Sequence, residues 1–172
     1  DLLATSRTAI GTFSTEFSTS LSDGETLLNN VYTSAALKLG TFETKATQVN
    51  TAIGDSISSA SSLNKKNAEI LEKLAALQQQ IGSDSSLSGI VSEKIAELQA
   101  QKDSLQELID SLGNSNSSIG NALTTASNTR SSLETLTAQN RQSLQNYRNS
   151  LNQSLLPQLN QSLDGLATLS GS

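Results

Sequence analysis

The sequence predicts an all-α protein, folded as an elongated antiparallel helical hairpin of the coiled-coil rod type. Apolar residues recur at alternating steps of four and three over most of the chain, which predicts a helical stripe, whereas a β-strand needs alternation by two. A polar turn cluster stands close to the midpoint. Only 35% of the 172 residues are hydrophobic and 3% are aromatic, against roughly 45–50% apolar in average globular proteins. This composition favours a narrow seam over a wide core.

The first arm of the hairpin carries a stripe whose steps average close to 3.5 residues. This spacing keeps one side of a helix facing a partner helix. The stripe consists of Phe42, Ala46, Val49, Ile53, Ile57, Ala60, Leu63, Asn67, Ile70, Leu74, Leu77 and Ile81.

The second arm carries a similar stripe, and we expect one long helix, frayed or kinked at most, through the glycine and asparagines of 113–118. The register slips once, between Leu136 and Asn140. The stripe consists of Val91, Ile95, Leu98, Lys102, Leu105, Ile109, Leu112, Asn116, Ile119, Leu123, Ala126, Arg130, Leu133, Leu136, Asn140, Leu144, Tyr147, Leu151 and Leu155.

The hairpin is predicted as a single helical segment, 1–172. Residues 1–81 form the ascending arm, with breaks near 23–24 and 40, and 82–89 form a tip loop in which Gly82 caps the preceding helix. Residues 90–172 form the descending arm, and proline interrupts it near 157, because its ring is poorly tolerated inside a helix. Two continuous arms of about 80 residues would make a rod of roughly 120 Å at 1.5 Å per residue.

A compact four- or five-helix bundle is the alternative fold. Breaks at 23–24, 40–41, 82–89 and 113–118 would divide the chain into helices of ordinary length. A globular bundle uses a third apolar position in each heptad, whereas these arms mostly supply two. The sequence therefore favours the elongated hairpin.

No residue pattern indicates an enzyme, a cofactor site or a metal site. The chain has no His and no Cys, which are the commonest general base and metal ligands. Serine is abundant, but a serine nucleophile needs a base beside it. Glu93 and Glu97 lie one turn apart, with Lys94 and Lys102 near enough for ordinary surface pairing. We therefore predict a non-enzymatic protein with no catalytic, cofactor-binding or metal-binding residues.

Charge and hydropathy limit the partners. The net charge is −5, from 11 basic and 16 acidic residues, which disfavours nucleic acid, because phosphate binding needs clustered Lys and Arg. No apolar run approaches the length of a membrane span. The chain begins at Asp1 and contains no Met, so we expect a fragment of a larger protein whose membrane anchor lies outside it.

Asn67, Lys102, Arg130 and Asn140 are polar residues on the predicted stripes. A polar residue at a seam position costs stability and can specify register and partner number. The alternative is a seam that is simply loose and wet at these points. Either reading suits a spacer or lever better than a very stable clamp.

The C-terminal stretch 155–171, LLPQLNQSLDGLATLSG, resembles the Leu/Gly heptads in the ectodomain of the phage infection protein (Pip/YhgE) family. The Asn-, Ser- and Gln-rich helices upstream are similar in character. The resemblance implies an excerpt of a large helical extracellular region from a multi-pass membrane protein of Gram-positive bacteria. Some members of that family act as phage receptors.

The sequence and the resemblance together favour a cell-surface helical module for adhesion or recognition, including recognition by phage. Loops on rigid scaffolds carry recognition, so we predict partner binding at Asp84, Leu87 and Ser88 in the tip loop. The expected partner is a protein or a phage component, and a homodimer is possible. Two alternatives are a structural spacer or oligomerisation stalk, and a helical pore-forming toxin or secretion-system component.

Overall fold

The structure, a computed structural model, describes residues 1–83 and 85–171, without the side chain of Ser85. Two long helices account for most of it. The elements are α1 (Leu2–Ile81), α2 (Ser85–Ser150), a five-residue π-helix (Leu151–Leu155) and α3 (Leu156–Gly171). These ranges contain no β-strand. The all-α prediction is confirmed at this level.

Helix α1 contains neither of the two breaks that the sequence predicts near 23–24 and 40. Glycine costs about 1 kcal/mol in a helix interior, but both glycines lie against the opposite helix. A Cβ at Gly24 would stand 3.6 Å from a methyl group of Leu144, and one at Gly40 would stand 3.7 Å from the Arg130 guanidinium. A Cβ at either position would make an ordinary contact with that helix, so both positions belong to a contact between helices rather than to a turn.

Helix α2 continues through 113–118, which confirms the prediction of one helix there. Its hydroxyl side chains bond to the helix itself. The Ser118 Oγ donates to the Asn114 carbonyl at 3.0 Å, and the Thr124 Oγ1 donates to the Gly120 carbonyl at 3.2 Å. Such bonds to the carbonyl four residues earlier satisfy the hydroxyl and leave the helix intact.

The turn between α1 and α2 is shorter than the predicted tip loop of 82–89. Helix α1 ends at Ile81, and Gly82 follows it with a φ of 66°, in the left-handed region. Its N–H donates to the Gln78 carbonyl at 3.3 Å, the bond of a helix C-terminal glycine motif. Helix α2 begins at Ser85, so 85–89 are helical. Serines at a helix start are common because their side chains can cap it, and turn composition alone did not distinguish this start from a loop.

Pro157 changes the helix without ending it. The sequence predicts an interruption near 157, and the structure places a π-helix immediately before that residue. The N–H of Leu156 bonds to the Leu151 carbonyl, five residues earlier. In a regular α-helix the proline ring would clash with the carbonyl of Gln153. The wider π turn contains that carbonyl, and π turns of this kind occur as single insertions in α-helices.

The described helices form two compact units. The first comprises 1–40 and 127–172, and the second comprises 41–126. In the first unit α1 packs antiparallel to the C-terminal helices. Three pairs show the direction: Arg7 with Asp164, Glu25 with Arg148, and Asn29 with Arg141.

The second unit is also an antiparallel pair, formed by the C-terminal half of α1 and the N-terminal half of α2. Gln78 Nε2 donates to Ser92 Oγ at 2.8 Å. Leu63 and Asn67 of α1 line one groove together with Gln101 and Leu105 of α2. The α1 number rises as the α2 number falls, as an antiparallel hairpin requires.

Candidate interaction surfaces

Of the predicted tip residues, the structure describes Leu87 and Ser88, and both lie in helix α2. Asp84 lies outside the described residues, Leu87 lies in the first turn of α2, and Ser88 is half-buried on the seam side. Sequence reasoning missed Ile90, which is 57% exposed, beside Leu87 at 50%. We name Leu87 and Ile90 the tip patch. Their spacing of three residues on a helix was the available signal.

The seam of the second unit is more polar than predicted. Asn67 is buried, as its position on the stripe indicates, and Asn64 is buried as well. The Oδ1 atoms of Asn50, Asn64 and Asn116 are buried without a hydrogen-bond partner. A buried carbonyl oxygen left without a bond costs about 1–3 kcal/mol. This seam is therefore weaker than an apolar one of the same length.

Of the other polar residues predicted on the seam, two lie on it and one does not. Lys102 and Arg130 are half-buried on the seam side, in agreement with the stripe, whereas Asn140 is exposed. After Leu133 the seam passes through Thr137, which is buried, and not through Leu136 and Asn140. The register slip seen in the sequence is thus a real departure from the seam.

Helix α1 buries a different side from the one predicted in the second unit. Part of the predicted stripe is on the seam: Ala46, Ile53, Ile57, Ala60, Asn67, Leu74 and Ile81 are buried or half-buried. The seam is completed by Asn50, Asn64, Leu71 and Gln78. The remaining stripe residues, all large and apolar, are exposed: Phe42, Val49, Leu63, Ile70 and Leu77.

These exposed α1 residues form a row at one heptad position, with Ser56 as its one polar member. The groove lined by Leu63 and Gln101 shows which side of α2 borders the row. Leu108 lies seven residues after Gln101 and so occupies the same heptad position of α2. We name this surface the long face: Phe42, Val49, Leu63, Ile70, Leu77 and Leu108. Their exposed fractions lie between 43% and 52%.

Charged residues border the long face. On α1, Lys45, Lys66 and Lys73 each follow an apolar residue of the row by three positions, which places them beside it. On α2, Ser104 lines the groove, and Glu97 occupies the same heptad position one repeat earlier. Two of these residues form pairs within their own helix: Lys66 with Glu69 at 3.0 Å and Lys94 with Glu97 at 3.2 Å. The α1 edge is therefore basic.

The first unit has an interhelical surface of a different kind. Arg7 meets Asp164 at 3.1 Å and Glu25 meets Arg148 at 2.9 Å. Arg141 Nη2 donates to the Asn29 Oδ1 at 2.7 Å. These pairs are at least one-third exposed, and exposed pairs of this kind contribute about 0–1 kcal/mol each. They determine register more than stability.

No constellation for catalysis or metal binding stands out in the described ranges. Among them, no group of three or more acidic residues lies close enough together to hold a metal ion. The search for a helical stretch long and apolar enough to cross a membrane likewise found none in these ranges. The tip patch and the long face are two exposed apolar surfaces of the second unit.

Comparison with protein-family models, with curated proteins and with solved structures gave no match. The likeness of 155–171 to the Pip/YhgE ectodomain therefore stays a prediction. The same holds for the surface location and the phage partner that it implies.

Proposed function

We propose that this chain is a non-enzymatic helical module of a bacterial cell surface that acts in adhesion or recognition, with phage among its partners. Its scaffold is an elongated antiparallel hairpin, and its contact point is the end at which α1 turns into α2. The observation that carries the proposal is the tip patch. It places two large apolar side chains, each at least half exposed, beside the turn.

The backbone of the turn supports this assignment. The Gly82 cap ends α1 sharply, and α2 restarts at Ser85, so the connection is short. A short connection between two long helices holds nearby side chains in one arrangement. Binding at Leu87 and Ile90 then costs less conformational entropy than binding at a flexible loop, because their backbone is already helical.

Surface location and phage recognition rest on the resemblance of 155–171 to the Leu/Gly heptads of the Pip/YhgE ectodomain. The polar, acidic composition of the chain is in keeping with a solvated ectodomain.

The tip patch can be tested by competition. Purified chain, added to Gram-positive cells with a panel of their phages, is expected to lower adsorption of the phage that recognises it. The variant Leu87→Gln/Ile90→Gln should lose this competition with unchanged helical circular dichroism. The matched control is Leu27→Gln/Leu166→Gln, which changes two exposed residues of the first unit and should compete like the original chain.

Two outcomes would contradict the proposal. One is the absence of competition with every phage and of any binding to whole cells. The other is equal competition by the tip variant and the original chain, which would move the contact point elsewhere.

A second candidate function is a structural spacer or oligomerisation stalk. The long face favours it, because an apolar row at heptad spacing is the surface on which helices associate. Adhesion and assembly use different surfaces of the second unit, so the two functions are compatible.

A further inference from the structure

We propose that the long face is a self-association surface, on which a second copy of this chain packs to form a four-helix arrangement in the second unit. This inference rests on the stalk function and names its partner. It does not depend on the tip patch. The juxtaposition that carries it is an apolar row on α1 beside Leu108 of α2, on one side of the same helix pair.

The spacing of the row determines what kind of partner fits it. Its members are separated by seven residues, or fourteen across Ser56. Only another helix, with side chains repeating at the same interval, meets every member of such a row. An extended peptide, with a repeat of two residues, would match few of them. The partner is therefore helical.

The width of the apolar surface on α1 also indicates a bundle. One heptad position, that of Ile53, Ala60 and Leu74, lies on the seam with α2. The seam-side residues Asn64 and Asn67 are polar, while Leu63 and Ile70 on the opposite flank are apolar and half exposed. A helix that contacts one neighbour needs two apolar positions per heptad, and a helix of a bundle uses a third. The seam with α2 takes two heptad positions of α1, one of which is partly polar at Asn50 and Asn64, and the long face is the third position.

The charged residues beside the long face favour a second copy of the chain as the partner, in one particular orientation. From 85 to 112, α2 carries five acidic and two basic residues, whereas α1 from 41 to 81 carries four of each. The α1 edge of the long face is lined by Lys45, Lys66 and Lys73. A second copy, related by a two-fold axis along the helices, brings Lys73 of this edge to the height of Glu97 on its α2, because the Gln78–Ser92 bond sets the register of the two helices. The opposite choice, α2 on α2, places like charges together at Lys94 and at Glu97.

In the same arrangement the helices that meet across the interface run antiparallel, and the assembly stops at two chains. A two-fold axis along the helices pairs the α1 of one copy with the α2 of the other, and α1 and α2 run in opposite directions. The same patch is used on both copies, so the interface ends at two chains. Leu63 of one copy then lies near the height of Leu108 of the other.

Light scattering over a concentration series tests the proposal on the chain itself. The original chain is expected to reach twice the 18.0 kDa of one copy. Leu63→Gln/Ile70→Gln should keep its helical circular dichroism and raise the dimer dissociation constant at least 100-fold, because four half-exposed apolar side chains are lost per dimer. The control Leu27→Gln/Leu166→Gln should stay dimeric. A mass of one chain at every concentration, or unlimited growth of the mass, would overturn the proposal.

A charge exchange tests the orientation without touching the apolar row. Lys73→Glu should weaken the dimer, and adding Glu97→Lys to the same chain should restore it. Failure of the double variant to recover would exclude the α1-on-α2 arrangement. Since mass is measured without any phage or cell, failure here is distinguishable from failure of the adhesion proposal.

Discussion

Replacement of Leu151 by alanine is expected to lower the free energy of unfolding by about 2–3 kcal/mol. Leu151 is the most deeply buried large side chain described, at 2% exposure, and its loss opens a cavity between the helices of the first unit. The expected cost is near the low end of the range for buried leucines, because a narrow seam can collapse around the gap. Chemical denaturation monitored by circular dichroism measures it.

Leu155→Ala is the matched control. The two leucines stand at the two ends of the same π-helix, and both lie on the apolar stripe read from the sequence. Leu155 is 41% exposed, so its replacement should cost less than about 1 kcal/mol. If the two variants lost equal free energies of unfolding, Leu155 would have to be buried on the seam as well. That result would contradict the register of the structure.

Replacement of Asn64 by leucine is expected to stabilise the chain by about 1–2 kcal/mol, since a buried carbonyl oxygen without a partner disappears. Asn64 is 9% exposed, and its Oδ1 is one of the side-chain oxygens in the described ranges that are buried without a bond. In a chain of this size the melting temperature should rise by about 3–6 °C. Thermal unfolding of the two proteins at equal concentration checks it.

The control for this substitution is Asn30→Leu on the same helix. Asn30 is exposed, so that variant gains only the higher helix propensity of leucine. A destabilised Asn64→Leu would show that the asparagine is well bonded in solution, and would contradict the account of a weak seam. We also expect the Asn64 variant to lose uniqueness of register or of mass, because polar seam residues specify both.

The fold class and the long helices were predictable because the period of the apolar residues survives local obstacles. The turn at Gly82 was predictable for a related reason, since a glycine directly after the last periodic residue is the common helix ending. The predicted breaks at Gly24 and Gly40 were wrong because a helix propensity is a weak local preference. Two glycines cost about 2 kcal/mol in all, which long helices packed against each other can offset.

The choice of seam in the second unit was only half predictable. Helix α1 offers three usable heptad positions, represented by Ala60, Leu63 and Asn64. Sequence reasoning paired the two apolar ones, whereas α2 packs over Ala60 and Asn64. A pattern of apolar residues shows how many neighbours a helix can have. It does not show which neighbour takes which side, because that depends on the partner helix.

The end of the seam was unpredictable for a geometric reason. From Leu151 the protected positions step by five to Leu156, and then continue through Leu159 and Leu163. The π-helix accommodates the extra residue. A stripe extended at steps of four and three therefore predicts Leu155 on the seam, whereas Leu155 is exposed and Leu156 is half-buried. Pro157 indicated an irregularity in the helix, but a proline is equally compatible with a helix break and with a π turn before it.

Small-angle X-ray scattering, with the mass determined by light scattering on the same sample, tests the central proposal of an elongated helical hairpin most directly. A compact domain of 172 residues has a radius of gyration of about 16 Å. We expect more than about twice that value, with a pair-distance profile typical of a rod. A radius near the compact value would contradict the hairpin and favour a short bundle.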